Sequence, residues 1–167
     1  RKEIASRIKD FNEAEELTLV SIPGEDVDDV VAIIMYIDDI GLLPAEAAVG
    51  VDAVGIGDIV NALADKDFDT AIRMAPISQG WKLNGSIKTS ERMLAGGRLR
   101  HGGTSLMNWC CGNAKIEPAG NAVKITKQAA GTAKIDPLAA LFDAVELMNR
   151  DPESQRSVYD EEEIPYV

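Results

Sequence analysis

Cysteine and histidine are nearly absent from the chain: Cys110 and Cys111 are the only thiols, adjacent to each other, and His101 is the only imidazole. Two neighbouring thiols build no disulfide framework, and with one histidine they assemble no zinc site, so a reducing setting fits best. Aromatic residues make up only 5% of the chain, and Trp81 and Trp109 read as packing residues rather than base-stacking platforms. No apolar run approaches the roughly 18 residues of a membrane span, and the N-terminus has no signal-peptide pattern. A nucleophile elbow, a Walker sequence and zinc-ligand spacing are all missing. Cationic excess is missing too. With 17 Lys and Arg against 28 Asp and Glu, the formal net charge is −11, which is not the basic footprint of a nucleic-acid binder.

What is there begins with length. The 167 residues suffice for one domain with a hydrophobic core and are short for two. We expect a domain over residues 1–150 and a polar, flexible tail over 151–167. The chain starts at Arg1 and reads as a piece of a longer protein. Its charge is uneven. Acids gather from Glu13 to Glu16 and in the tail from Asp160 to Glu163. Between Arg73 and Lys134 the balance reverses, with Lys82, Lys88, Arg92, Arg98, Arg100, Lys115, Lys124, Lys127 and Lys134. Such a face can meet phosphate, although an ordinary solvated surface is the reading the sequence alone favours.

Periodicity places the elements. A polar lead-in precedes a predicted strand at Leu17–Ile22, which Pro23 and Gly24 end. A helix capped by Asp26 carries Val27, Val30, Val31, Ile34, Ile37 and Ile40 at helical spacing and closes at Gly41. Residues 47–51 predict a short buried strand, followed by a tight Gly55, Gly57 exit and a helix from Asp58, an α/β unit. A strand over Thr70–Met74, a loop, and a helix over Asn84–Ala95 stopped by Gly96 and Gly97 follow. Arg98–His101 predicts another strand, then a helix carrying Leu106, Met107, Trp109 and Cys110. Lys115–Glu117 and Ala122–Thr126 predict a β-hairpin around Pro118–Asn121. The last helix is expected from Asp136 to about Arg150.

Two aspartates stand where α/β folds build sites. Asp52 ends an apolar strand, where its carboxylate can project over the carboxyl edge of a sheet; the plainer reading is a turn aspartate. Asp136, followed by Pro137, opens the last helix, which is also how many helices simply start. Asp143 lies seven residues on, two helical turns, and shares its face. Carboxylates of this kind can converge on a divalent cation. Gly55 and Gly57 form too short a pattern for a dinucleotide site and are explained by a tight turn, and a lone histidine is more often structural than catalytic.

Four stretches taken in order, Val51-Asp52-Ala53-Val54-Gly55-Ile56-Gly57-Asp58-Ile59-Val60, Ile77-Ser78-Gln79-Gly80-Trp81-Lys82-Leu83-Asn84, His101-Gly102-Gly103 with Trp109 and Asn113, and Gly131-Thr132-Ala133-Lys134-Ile135-Asp136, resemble the C-terminal nuclease domain of the large terminase subunit of tailed bacteriophages or prophages. The resemblance implies an α/β, RNase H-like fold, a mixed sheet flanked by helices, here truncated at its N-terminal strand because the family's first acid lies upstream. It implies a divalent-metal-dependent DNA endonuclease that cuts concatemeric DNA during genome packaging, with Mg²⁺ or Mn²⁺ as cofactor. Asp52 matches the central-strand acid and Asp136 the C-terminal-helix acid, with Asp143 in or beside the same cluster. Lys82, His101 and Lys134 are expected to position substrate. The implied partners are double-stranded DNA, the small terminase subunit and the portal, with no membrane, in the bacterial host cytoplasm. The alternatives are a non-catalytic fragment or prophage remnant serving assembly contacts, and a nucleotide-binding α/β domain using Gly55 and Gly57.

Overall fold

The computed structural model describes residues 2–52, 54–128 and 132–153. Ala53, Gly131 and the tail from Ser154 onward, with its acidic run Asp160–Glu163, lie outside the described residues. In chain order the elements are α1 (Ala5–Glu13), α2 (Glu25–Asp39), β1 (Val49–Val51), α3 (Gly57–Ala64), α4 (Thr70–Arg73), β2 (Met74–Pro76), α5 (Asn84–Ala95), α6 (Ser105–Asn113), β3 (Ala114–Ala119), β4 (Ala122–Lys127) and α7 (Asp136–Met148), with a 3₁₀ turn at Gly80–Leu83. The predicted α/β character holds. Among the described residues the strands form a parallel pair, β1 with β2, and an antiparallel hairpin, β3 with β4. Two compact units divide the chain: residues 1–21 with 78–146, and residues 22–77 with 147–167.

The second unit is organised by α2. Its start lies two residues earlier than predicted: Gly24, at φ +104°, occupies the cap position, and the Asp26 carboxylate reaches back to accept from the Gly24 N–H at 3.1 Å. Glu25, Asp26 and Asp28 fill the first turn, where the helix dipole favours negative charge. Val31 of α2, Leu63 of α3 and Phe68 form the buried core, with Val27, Ile34, Val49, Ile59 and Met74 packed against it. Helix α3 begins at Gly57 rather than Asp58, which is therefore a first-turn acid.

The strand expected over Thr70–Met74 is mostly helical. The Asp69 carboxylate accepts from Ala71 and Ile72 N–H at 3.1 and 3.2 Å, and this local capture outweighs the strand propensity of Thr70 and Ile72. Only Met74–Pro76 extends. It pairs with β1 in the register Val49 with Met74, Gly50 with Ala75 and Val51 with Pro76, and the Ile77 N–H continues the ladder to Val51 O at 2.9 Å. Gly50 is required by close approach, because a Cβ there would lie 3.1 Å from both Ile77 Cγ1 and Leu147 Cδ1.

At the end of α4, Arg73 grips the last turn of α2. Its Nη1 and Nη2 donate to the two Asp38 oxygens at 2.6 and 2.5 Å, and its guanidinium lies 4.3 Å from the Phe68 ring centroid. Both side chains of the pair are largely buried. The hydrogen bond to Asp38 holds the Arg73 pKa above its ordinary value. A planar fork meeting a carboxylate two-handed is the geometry in which an ion pair contributes most.

In the first unit, the polar lead-in contains α1, whose Phe11 is buried and meets Trp109 at 5.6 Å between ring centroids. No strand forms over Leu17–Ile22. The Leu19 N–H turns to Asn12 Oδ1 at 3.0 Å, and both Leu19 and Ile22 are exposed, so the apolar run has neither a partner strand nor a core face. Arg98–His101 is not a strand either: Arg98 and Leu99 N–H both bond Met93 O, at 2.9 and 3.0 Å, after Gly97 turns at φ +69°. That wrap satisfies the end of α5 and removes the backbone groups a ladder needs. Helix α5 and the hairpin match expectation, with Ala119 paired to Ala122 across a tight turn at Gly120, φ +62°. Helix α6 is capped by Thr104 and by a distant acid: the Glu16 carboxylate accepts from Ser105 and Leu106 N–H at 3.0 and 2.6 Å.

Two substitutions measure what holds the second unit together. Leu63→Ala, at a fully buried site, is expected to cost about 3 kcal/mol. Arg73→Leu leaves Asp38 without its bidentate partner and is expected to cost a similar amount, roughly 3 kcal/mol. Urea denaturation read at an unchanged m-value checks both.

Candidate functional site

The predicted acids fall into two settings, one in each unit. Asp52 directly follows β1, in the second unit, and is exposed. Because β1 and β2 are parallel, Asp52 stands at the carboxyl edge of the pair, the edge where open α/β folds expose side chains for chemistry. The chain then turns at Gly55, φ +79°, into α3. That positive φ gives Gly55 a conformational reason to be glycine and accounts for it without any nucleotide.

Asp136 and Asp143 lie in the first unit, on α7. Asp136 is the first residue of the helix and is exposed, while Asp143 is half-buried. Seven residues is close to two turns, so the two carboxylates share one stripe of the helix. Glu146, three residues beyond Asp143, extends that acidic stripe. Both of these later acids are held by donors from one short segment of chain. Gln79 Nε2 donates to Asp143 Oδ1 at 2.9 Å, and the Ser86 hydroxyl donates to Glu146 Oε2 at 2.5 Å. Ser86 is fully buried, and Ser90 Oγ donates to the Ser86 carbonyl at 2.7 Å.

Gln79 lies within a motif visible in the sequence, whereas Glu146 and Ser86 belong to none. The legible signal was the i, i+3 pairing of Asp143 with Glu146. Nothing in the sequence marks which distant hydroxyl or amide would reach them.

The expected substrate-positioning residues are dispersed. Lys82 is exposed in the 3₁₀ turn three residues after Gln79. Lys134 precedes Asp136 by two residues, and its carbonyl accepts from Asn113 Nδ2 at 2.9 Å, which ties the approach to α7 to the end of α6. His101 is exposed, and its Nδ1 accepts from the Gly103 N–H at 3.1 Å, a local turn contact. The basic stretch is largely accessible: Lys88, Arg92, Arg98, Arg100 and Lys127 are exposed. Lys115 and Lys124 are instead engaged with Glu117 at 3.2 and 3.3 Å, and they hold its carboxyl below the ordinary range.

Metal chemistry can be judged from the donors. Asp52, Asp136 and Asp143 offer carboxylate oxygens only, the hard ligand set that suits Mg²⁺ or Mn²⁺ rather than zinc. Among the described residues no group of three or more His, Cys, Asp or Glu forms a metal cluster, and no helix is long and apolar enough to cross a membrane. The Cys110 thiol lies inside the first unit. Burial pushes its pKa up, and the negative charge of Asp136 adds to that, so the thiol stays protonated near the acidic helix.

The chain is α/β, with one aspartate at a strand end and two on a helix, each offering oxygen donors. Residues 5–151 match the family described as the terminase large subunit, endonuclease domain. The chain belongs to that family. Its fold is similar to the crystal structure of the HK97 bacteriophage large terminase, with a TM-score of 0.61 and 23% sequence identity over 87% of this chain. It spans 31% of the length of that terminase. No curated protein matches the chain.

The two thiols provide a direct check on the first unit. Cys111 is exposed and Cys110 buried, and the thiolate is the reactive form. Iodoacetamide is expected to modify Cys111 in the native protein and Cys110 only after denaturant is added, as read by peptide mass spectrometry.

Proposed function

We propose that the chain is a divalent-metal-dependent endonuclease domain, contained in residues 1–150, that cuts concatemeric double-stranded DNA during phage genome packaging. The family match over residues 5–151 carries this reading, and the acidic stripe of α7 supports it. Asp52 after β1, and Asp136 and Asp143 on α7, are each candidate carboxylate ligands for Mg²⁺ or Mn²⁺, which when bound would supply an activated water and neutralise charge at the scissile phosphate. The residues of the chain do the rest. The exposed Asp136 and Asp52 present carboxylates to solvent, where a phosphodiester can approach. Lys82 and Lys134, on the segments that flank the acidic stripe, meet phosphate oxygens, and His101 contributes a further polar contact at the start of α6. The exposed cations from Lys88 to Lys127 extend a track for the DNA backbone.

The motor partners are the small terminase subunit and the portal, in the bacterial host cytoplasm. The −11 charge fits a domain that is delivered to DNA by its assembly instead of by its own affinity, and salt-dependent DNA binding by this chain alone is expected to be weak. The same charge is the observation that favours the second reading, a non-catalytic module serving assembly contacts.

Cleavage of supercoiled plasmid with Mn²⁺ separates the two. In the full-length large subunit, Asp136→Asn and Asp52→Asn are each expected to abolish cleavage while leaving the circular dichroism spectrum unchanged. Wild-type rates in either variant would overturn the assignment of that residue, and an inactive wild type would favour the assembly module.

A further inference from the structure

Helix α2 is apolar around more of its circumference than its core uses. Val31 is buried with Leu63 and Phe68, and Val27, Ile34 and Met35 pack beside it. The other side carries a second apolar row, Val30, Ile33, Tyr36, Ile37 and Ile40, whose spacing of three and four residues lays it along one stripe. Ile33, Tyr36 and Ile40 are 59%, 65% and 49% exposed, and Leu42, just past the helix end, is 70% exposed. A helix that is apolar on both sides is ordinarily covered on both. Large apolar side chains gathered in this way form a patch, unlike the scattered exposure usual of a surface.

The charge around this row is one-sided. Between Ile22 and Ile77 twelve Asp and Glu stand against two cations, Lys66 and Arg73, and Arg73 is committed to Asp38. Glu25, Asp26 and Asp28 lie in the first turn of α2, where the helix dipole accounts for them. Asp29 and Asp39 have no such reason. Asp29 lies beyond the first turn, and Asp39 ends the helix, where the dipole disfavours an anion. Both are exposed. Asp29 precedes Ile33 by four residues and Tyr36 by seven, and Asp39 follows Tyr36 by three, so the two acids rim the apolar row.

That pattern selects an occupant. A second copy of the chain fails it, because parallel α2 helices would set Asp29 against Asp29 and antiparallel ones would lay the acidic first turn on Ile40 and Leu42. Nucleic acid is repelled by the same charge. A basic amphipathic helix meets both conditions, with apolar anchors at i, i+3, i+4 and i+7 over the row and cations at the rim. We propose that the outer face of α2 is a docking surface for a basic amphipathic helix of a partner protein, whose apolar side chains cover Ile33, Tyr36 and Ile40 and whose Lys or Arg side chains meet Asp29 and Asp39. This surface does not depend on the nuclease reading above.

The probe is a fluorescent synthetic peptide of about 15 residues, leucine and lysine in amphipathic helical order, titrated into the 167-residue chain and read by anisotropy. A peptide of the same composition with its leucines spread around the helix is the control. The ordered peptide is expected to bind about tenfold more tightly than the control, and Ile33→Ser with Ile40→Ser to lose about tenfold at an unchanged melting temperature. Asp29→Asn with Asp39→Asn is expected to weaken binding and flatten its salt dependence. Hydrogen exchange, which needs no variant, is expected to slow over residues 29–40 when the ordered peptide binds. Equal binding of the two peptides, unchanged affinity in the Ile33, Ile40 variant, or slowed exchange only elsewhere would overturn the proposal, leaving general charge attraction. Dimers in sedimentation that the Ile33, Ile40 variant abolishes would give the face to a second copy, and a peptide bound by this chain but excluded by the full-length large subunit would give it to another segment of that polypeptide; either result overturns the proposal.

Discussion

A chain with this much negative charge can draw carboxylates inside only where each meets a donor, and the structure is built around meeting that condition. Desolvating an unpaired carboxylate costs several kcal/mol, more than a single apolar contact returns. Each inward-facing acid is matched accordingly. Asp38 receives the Arg73 guanidinium, Glu16 receives the first amides of α6, Glu146 receives the Ser86 hydroxyl, and Asp143 receives the Gln79 amide. These pairings do structural work that the small apolar clusters cannot do alone, because they fix direction as well as proximity.

The two units use this device differently. In the second, one strong bidentate pair secures the last turn of α2 against the segment leading into β2, and the apolar core of Val31, Leu63 and Phe68 lies beside it. In the first, several single hydrogen bonds from uncharged donors are spread along α6 and α7. The Gln79 amide and the Ser86 hydroxyl are neutral donors and bring no charge of their own to the Asp143 and Glu146 carboxylates. Arginine in the same places would have neutralised the acids it positioned.

Family membership and geometry meet at α7. The family match extends over nearly all the described residues, and the helix that carries Asp136 receives long-range side-chain bonds from Gln79 and Ser86. Asp52 is placed by a different rule: a short parallel pair, closed by the Ile77 N–H, ends at the residue that carries the acid.

Local pattern was enough for the helices with clear apolar periodicity and punctuation. Helices α2, α5 and α7 and the β3–β4 hairpin lie within a residue or two of where spacing, Gly stops and the Gly120-Asn121 turn put them. The placement of Asp52 at a strand end, of Asp136 at a helix start and of Asp143 two turns on was likewise legible from local pattern. The failures share one cause. Leu17–Ile22, Thr70–Met74 and Arg98–His101 have strand-like composition, but a strand exists only when a second strand takes its hydrogen bonds, and in each place Asn12, Asp69 or the Met93 carbonyl took them first. Which distant donor would satisfy which carboxylate was equally invisible, since Gln79 and Asp143, or Ser86 and Glu146, are some sixty residues apart. The sequence by itself determined the helical framework and the chemical character of the acids; only the tertiary structure decided the strand pairing and how each acid is held, because both are settled by competition between partners that folding brings together.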